Sequence, residues 1–166
     1  TVGRVSAEKG QDMIPKIVRE LNDKGYDVRW YVIGDGPSLD RLKGLIQKEN
    51  VSDRVVLLGV KNNPYPYMKA CDIYVQPSYT EGYSTTICEA GILGKAIIGT
   101  KPSGGIRDQI ENGESGLIVD ASVEGLEQGI IRLLEDSLLR QKFEQNILKK
   151  DFEGKGEIRK FINYIG

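Results

Sequence analysis

The segment Glu81-Gly82-Tyr83-Ser84-Thr85-Thr86-Ile87-Cys88-Glu89-Ala90 holds the residue types best suited to chemistry. Two carboxylates flank a run of hydroxyl side chains. Ser84 and Thr85 are N-cap types, so a helix is expected to open there. A helix start leaves N–H groups without acceptors and carries partial positive charge. The amides of residues 83–86 are therefore expected to cradle an anion. Glu89 lies four residues beyond Thr85, on the same helix face. A carboxylate there can accept two hydrogen bonds from a vicinal diol such as a ribose. Glu81 precedes the helix and can point toward a sugar, while Gly82 gives the backbone freedom to turn sharply. The spacing alone also fits two solvated carboxylates, which are favoured near a helix start in any case.

Two other segments share this character. Gly3-Arg4-Val5-Ser6-Ala7-Glu8-Lys9-Gly10 puts two cations five residues apart in a loop that runs into a helix. Arg4 and Lys9 would add full charges to the helix terminus, a setting that suits a diphosphate. Two solvated surface cations fit the same spacing. The loop is not a phosphate-binding Walker loop, because the required Gly-x4-Gly-Lys-Ser/Thr spacing is absent. In Gly34-Asp35-Gly36-Pro37 the glycines would let a ligand approach the backbone. A tight turn before a helix at Ser38 explains them equally well.

These loops need elements to hold them. Apolar runs at 28–33, 54–58, 72–75, 96–99 and 116–119 read as strands, each stopped by a turn residue. Residues 1–5 read as the tail of one more strand. Helical periodicity covers 11–24, 38–49, 65–70, 85–93, 123–135, 138–150 and 157–164. Strands and helices in alternation, with nearly continuous apolar strands, predict an α/β fold: a doubly wound, Rossmann-like parallel sheet covered on both faces. Such sheets bind ligands beyond the carboxyl ends of their strands, and the three loops above follow strands.

Composition narrows the classes. With 23 basic and 24 acidic residues the formal charge is -1, without the basic excess that a nucleic-acid partner demands. Hydrophobic residues at 39% and charged residues at 28% describe an ordinary globular domain of 166 residues. No apolar run approaches the ~20 residues of a membrane span. The first residues lack the apolar stretch of a signal peptide. Cys71 and Cys88 stand singly in apolar surroundings and are expected to be buried free thiols, which suggests a reducing compartment. The sequence has no histidine, so catalysis would rest on carboxylates, lysine or backbone amides.

Glu81-x7-Glu89 within its segment resembles the signature of the retaining glycosyltransferases of family 4, the group 1 glycosyltransferases. Val2-Gly3-Arg4 through Lys9-Gly10 resembles that family's opening loop, and Gly34-Asp35-Gly36-Pro37 its Gly-x-Gly-Pro turn. Leu58-Gly59, Ala70-Cys71-Asp72-Ile73, Gln76-Pro77-Ser78, the segment 93–100, Gly104-Gly105 and the segment 113–118 follow in the family's order. The resemblance covers roughly residues 1–135. Two departures are mild: Tyr83 stands where phenylalanine is common, and Lys95-Ala96 where the second residue is often proline.

The resemblance implies the C-terminal, donor-binding half of a two-domain GT-B enzyme. Residues 1–166 would form that single domain, with no N-terminal acceptor domain in the chain. The implied substrate is a nucleotide diphosphate sugar, a UDP-sugar by family frequency. The acceptor would be a glycan, a lipid-linked or another hydroxyl, met through the missing domain, in glycan or polysaccharide synthesis. By the same analogy Arg4, Lys9 and Glu81 take the catalytic roles. The cations neutralise the diphosphate and Glu81 contacts the transferred sugar. Glu89 holds the ribose, and the 83–86 segment, Tyr83, Ser84, Thr85 and Thr86, meets the phosphates. Gly34 and Val60 lie beside the base, and Gly3 and Gly82 complete the donor site. No cofactor or metal is expected, since no Asp-x-Asp pair stands in a suitable loop. A cytoplasmic setting is expected, peripheral at the inner face of the membrane. Two other classes share a Rossmann-like fold. A nicotinamide or flavin domain needs Gly-x-Gly-x-x-Gly after its first strand, which Gly3-Arg4-Val5-Ser6 is not. A non-catalytic nucleotide-binding module would be favoured by loss of either glutamate or of the cation pair, and all four residues are present.

Overall fold

The computed structural model describes residues 1–102 and 105–152. Five strands form the core of the sheet: β1 (Trp30–Ile33), β2 (Val55–Gly59), β3 (Ile73–Gln76), β4 (Ala96–Thr100) and β5 (Leu117–Val119). All paired strands are parallel, β1 with β2 and β3 with β4 and then β5. Residues 1–3 stitch the two groups together. Val2 makes a parallel bridge to Ile33, Gly3 N–H donates to Ile33 O at 2.9 Å, and Thr1 Oγ1 donates to Val75 O at 2.7 Å. The expected first strand is thus present as a bridge only. The spatial order is β2, β1, residues 1–3, β3, β4, β5. Its direction of winding reverses between residues 1–3 and β3, the switch point where doubly wound sheets open a crevice.

Helices cover both faces because strand side chains alternate. Ala96 and Ile98 join one buried cluster with α1 (Ile14–Asp23), α2 (Leu39–Lys48) and α6 (Val123–Glu135). Ile97 and Tyr74 join the other, with α3 (Tyr65–Ala70), α4 (Thr85–Ile92), α5 (Ile106–Gln109) and α7 (Ser137–Lys149). Phe143 of α7 reaches the first cluster while Ile147 of the same helix packs in the second.

The expected helix over 11–24 divides in two. Gly10 adopts a left-handed φ of 68°, Gln11–Met13 form a 3-10 turn, and α1 begins at Ile14 with Pro15 in its first turn, where a missing N–H costs nothing. α5 was not expected. The helix expected over 157–164 lies outside the described residues. Ser38 occupies the N-cap position of α2 but makes no side-chain cap bond. Cys88 is buried as expected, whereas Cys71 is only half-buried, and both are free.

Candidate functional site

The loop after residues 1–3 and the loop after β3 face each other across the switch point. Their contact is built from backbone first. Tyr79 N–H donates to Glu8 O at 2.8 Å. A Cβ on Gly10 would sit 2.0 Å from Pro77 O, so only glycine lets these loops meet. The loop after β1 is seated in the same way. A Cβ on Gly34 would fall 1.9 Å from Gly3 O, and one on Gly36 2.3 Å from Val5 O. The close approaches at Gly34 and Gly36 are between loops, and they account for the absence of a side chain at both positions.

On this frame Lys9 and Glu81 meet directly, with Lys9 Nζ 2.6 Å from Glu81 Oε1. The other carboxylate oxygen, Oε2, accepts from Ser78 Oγ at 2.8 Å and from Gln76 Nε2 at 3.1 Å. Arg4 stands on the same loop with its side chain exposed. The hydrogen bond from Ser6, then one from the Glu8 backbone, and last the charges of Arg4 and Lys9 hold the Glu8 carboxyl below its ordinary range.

The 83–86 segment opens α4 as expected, with two corrections. Ser84 N–H is not available to an anion, because it donates to Gln109 Oε1 at 3.0 Å. Gln109 Nε2 in turn donates to Ser84 O at 2.6 Å. Ser84 Oγ does not cap the helix but lies 3.1 Å from Thr86 Oγ1. The amides of Thr85 and Thr86 are first-turn groups with no intrahelical acceptor. Gly82 has no positive φ, and a Cβ there would meet nothing within 4 Å. The turn does not use its conformational freedom. Tyr83 is exposed, and its hydroxyl accepts from Cys88 Sγ at 3.1 Å.

Glu89 lies a turn into α4 and accepts from Tyr65 Oη at 3.2 Å. Burial pushes its carboxyl above the usual range, and the Tyr65 hydrogen bond pulls it part of the way back. No cation pairs with it among the described residues. Gly34 and Val60 come together at the carboxyl ends of β1 and β2, where Gly34 N–H donates to Gly59 O at 2.9 Å. Val60 is 70% exposed.

Sequence reasoning missed the residues underneath. Gln76, Tyr74, Gln109 and Tyr65 all hold site groups from outside the motif. Burial pushes the Tyr74 phenol far above its ordinary range, so its hydroxyl stays protonated and donates to Gln76 Oε1 at 2.9 Å. The signal for Gln76 was a polar residue ending an apolar strand. The others carry none. Among the described residues no group of three or more Asp, Glu, Cys or His side chains could hold a metal ion. The arrangement as a whole can offer cations and helix amides to an anion and two carboxylates to hydroxyl groups, Glu81 beside Lys9 and Glu89 a turn into α4.

Residues 1–150 match the family described as glycosyl transferases group 1. Among curated relatives, the chain is 31% identical over 144 residues to the Campylobacter jejuni N-acetylgalactosamine-N,N'-diacetylbacillosaminyl-diphospho-undecaprenol 4-alpha-N-acetylgalactosaminyltransferase, covering 86% of this chain and 39% of that one. It is 29% identical over 153 residues to the capsular polysaccharide biosynthesis glycosyltransferase CapM of Staphylococcus aureus, covering 90% and 40%. The chain thus spans about two fifths of the length of these relatives. Among solved structures, the C-terminal domain of the group 1 family protein LpcC from Francisella tularensis superposes with a TM-score of 0.79 at 28% identity, covering 89% of this chain and 80% of that one. Anabaena HepE in complex with UDP superposes with a TM-score of 0.82 at 23% identity, covering 99% and 47%.

Proposed function

The chain belongs to the group 1 glycosyltransferases, and from that premise we propose that it is the donor-binding domain of a sugar-transferring GT-B enzyme. The donor is a nucleoside diphosphate sugar, with UDP the first choice. The HepE structure was solved with UDP, and the LpcC domain supports the C-terminal assignment. The observation that carries the reading is the Lys9–Glu81 contact at the switch point, 2.6 Å long, with the α4 N-terminus beside it.

The chemistry follows from charge. As the bond from the sugar to the diphosphate breaks, positive charge grows on the anomeric carbon and negative charge on the departing diphosphate. Lys9, Arg4 and the Thr85 and Thr86 amides stand where that negative charge grows, and stabilising it lowers the barrier. Their charge can do the work of a metal, so the transfer is proposed to be metal-independent. Glu81 accepts a hydroxyl of the sugar and holds it against the diphosphate. Departure and attack on the same face would give retention at the anomeric carbon. Glu89 grips the ribose diol, and Gly34 and Val60 border the base.

The acceptor hydroxyl, glycan or lipid-linked, is assigned to the cleft's other domain, and the pathway to glycan or polysaccharide synthesis. Both named relatives above fit that class. No helix among the described residues is long and apolar enough to cross a membrane. A cytoplasmic setting at the inner membrane face is part of the proposal. Isothermal titration of the chain against UDP, GDP, ADP and their sugars, in EDTA, tests it. Binding of one nucleotide series is expected, and no binding of any at millimolar concentration would overturn it.

A further inference from the structure

Gln76 ends β3 with 2% of its surface exposed, directly beneath Glu81. A buried amide is costly unless its groups are bonded, and here all four hydrogen-bonding positions are taken. Oε1 accepts from Tyr74 Oη at 2.9 Å and from Thr86 Oγ1 at 3.4 Å. Nε2 donates to Ser78 Oγ at 3.0 Å and to Glu81 Oε2 at 3.1 Å. The amide orientation is fixed by its surroundings, because the flipped form would set Oε1 against the Glu81 carboxylate. Ser78 Oγ, having accepted from Gln76, donates to the same Glu81 oxygen at 2.8 Å.

We infer that Gln76 is a positioning residue for Glu81, aiming the carboxylate at the sugar of the donor and tying that aim to Thr86 at the phosphate end of the site. The inference rests on the donor-site reading above. Two neutral donors hold Oε2, whereas among the described residues Lys9 is what holds Oε1. Neutral donors fix the carboxylate without cancelling its charge, which a second cation would do. When a diphosphate draws Lys9 toward itself, Oε2 stays anchored. Glu81 then keeps its direction and the lone pairs on Oε1 that Lys9 releases. Thr86 reports on the same amide, so a ligand held at the α4 N-terminus and a hydroxyl held at Glu81 share one rigid connection.

The test compares dissociation constants for UDP and for a UDP-sugar. The sugar probe is whichever of UDP-glucose, UDP-galactose, UDP-N-acetylglucosamine and UDP-N-acetylgalactosamine gains most over UDP with the unaltered chain. Gln76→Leu is expected to cut that gain by roughly threefold to tenfold, the net worth of one typical hydrogen bond, while UDP binding stays within a factor of two. Equal weakening of both ligands, with a lowered melting temperature, would mean a purely structural role and would overturn the inference. An unchanged gain in Gln76→Leu, with the gain lost in Glu81→Gln, would overturn it while leaving the donor reading intact. A gain that survives Glu81→Gln would instead overturn the assignment of Glu81, and this inference with it. The unaltered chain offers a readout independent of folding of the variant. The side-chain amide resonances of Gln76 are expected to move further with the UDP-sugar than with UDP, and identical shifts for the two would overturn the positioning role.

Discussion

Lys9 Nζ and Glu81 Oε1 lie 2.6 Å apart across two loops separated by 72 residues of sequence. Each charge therefore already has a partner before any anion arrives. A diphosphate must compete with Glu81 for the ammonium, and Glu81 opposes its charge. Glu81→Gln is expected to tighten UDP binding by about threefold, since it removes both effects. Lys9→Met is expected to weaken UDP and free pyrophosphate alike by about tenfold, the loss of a charge-assisted hydrogen bond. Titration calorimetry at two salt concentrations checks both, and the Lys9→Met chain should show the flatter salt dependence.

Glu89 makes a different demand. Its carboxyl is raised by burial and lowered in part by Tyr65. Glu89→Gln is expected to weaken UDP by roughly tenfold or more and leave pyrophosphate unchanged, since only UDP offers a ribose. An acid raised in the folded state favours folding when protonated, so its contribution falls as pH rises through the window above the ordinary glutamate range. Near neutral pH the ligand-free Glu89→Gln chain is therefore expected to melt at or slightly above the unaltered one. Acidification through that window should weaken UDP, and Tyr65→Phe should bring the weakening on at a higher pH. Calorimetry from pH 4.5 to 8 reads both, with about one pH unit as a resolvable displacement.

Two glycines separate strain from freedom. Gly10→Ala combines a φ of 68° with a Cβ 2.0 Å from Pro77 O. It is expected to cost about 1–3 kcal/mol of stability and to part Lys9 from Glu81. Gly82→Ala meets nothing within 4 Å and has no positive φ, so stability should stay within about 0.5 kcal/mol. Chemical denaturation of the two variants compares them directly.

Metal independence has its own measurement. UDP at 100 times its dissociation constant adds about 2.7 kcal/mol, a melting shift of about 5–10 °C for a domain of this size. The shift is expected to be the same in EDTA and in magnesium. A shift that needs magnesium would return the diphosphate's neutralisation to a metal.

The fold was legible wherever side chains repeat with a period. Ile14, Ile17, Val18 and Leu21 are expected on one helix face, and all four are fully buried on α1. The bounds of α6 match the expected 123–135. The 3-10 turn at Gln11–Met13 was not legible, because apolar spacing does not distinguish it from a helical turn. α5 has four residues, too few to show a period. The motif residues were legible, but of their supports only Gln76 left a signal, as a polar residue ending an apolar strand. Gln109 holds Ser84 from 25 positions away, a distance over which local pattern carries no information. The seating of Gly34 on Gly3, where a Cβ would fall 1.9 Å from the carbonyl oxygen, likewise has no signature in the sequence.

The seating of Gly34 on Gly3, Gly36 on Val5 and Gly10 on Pro77 makes three loops one mechanical part. An inserted residue in any of them must lift its neighbours out of register, and Lys9 and Glu81 would part with it. Gly59 touches this part only through its carbonyl, which accepts from Gly34 N–H at 2.9 Å, and a Cβ there meets nothing within 4 Å. The stretch 60–64 after it, which begins with Val60 and ends at α3, is not one of the three seated loops, and a change of length there is expected to leave Lys9 and Glu81 together. On the proposed donor reading, the Val60 side of the base site is therefore freer to vary than the loops that would hold the diphosphate.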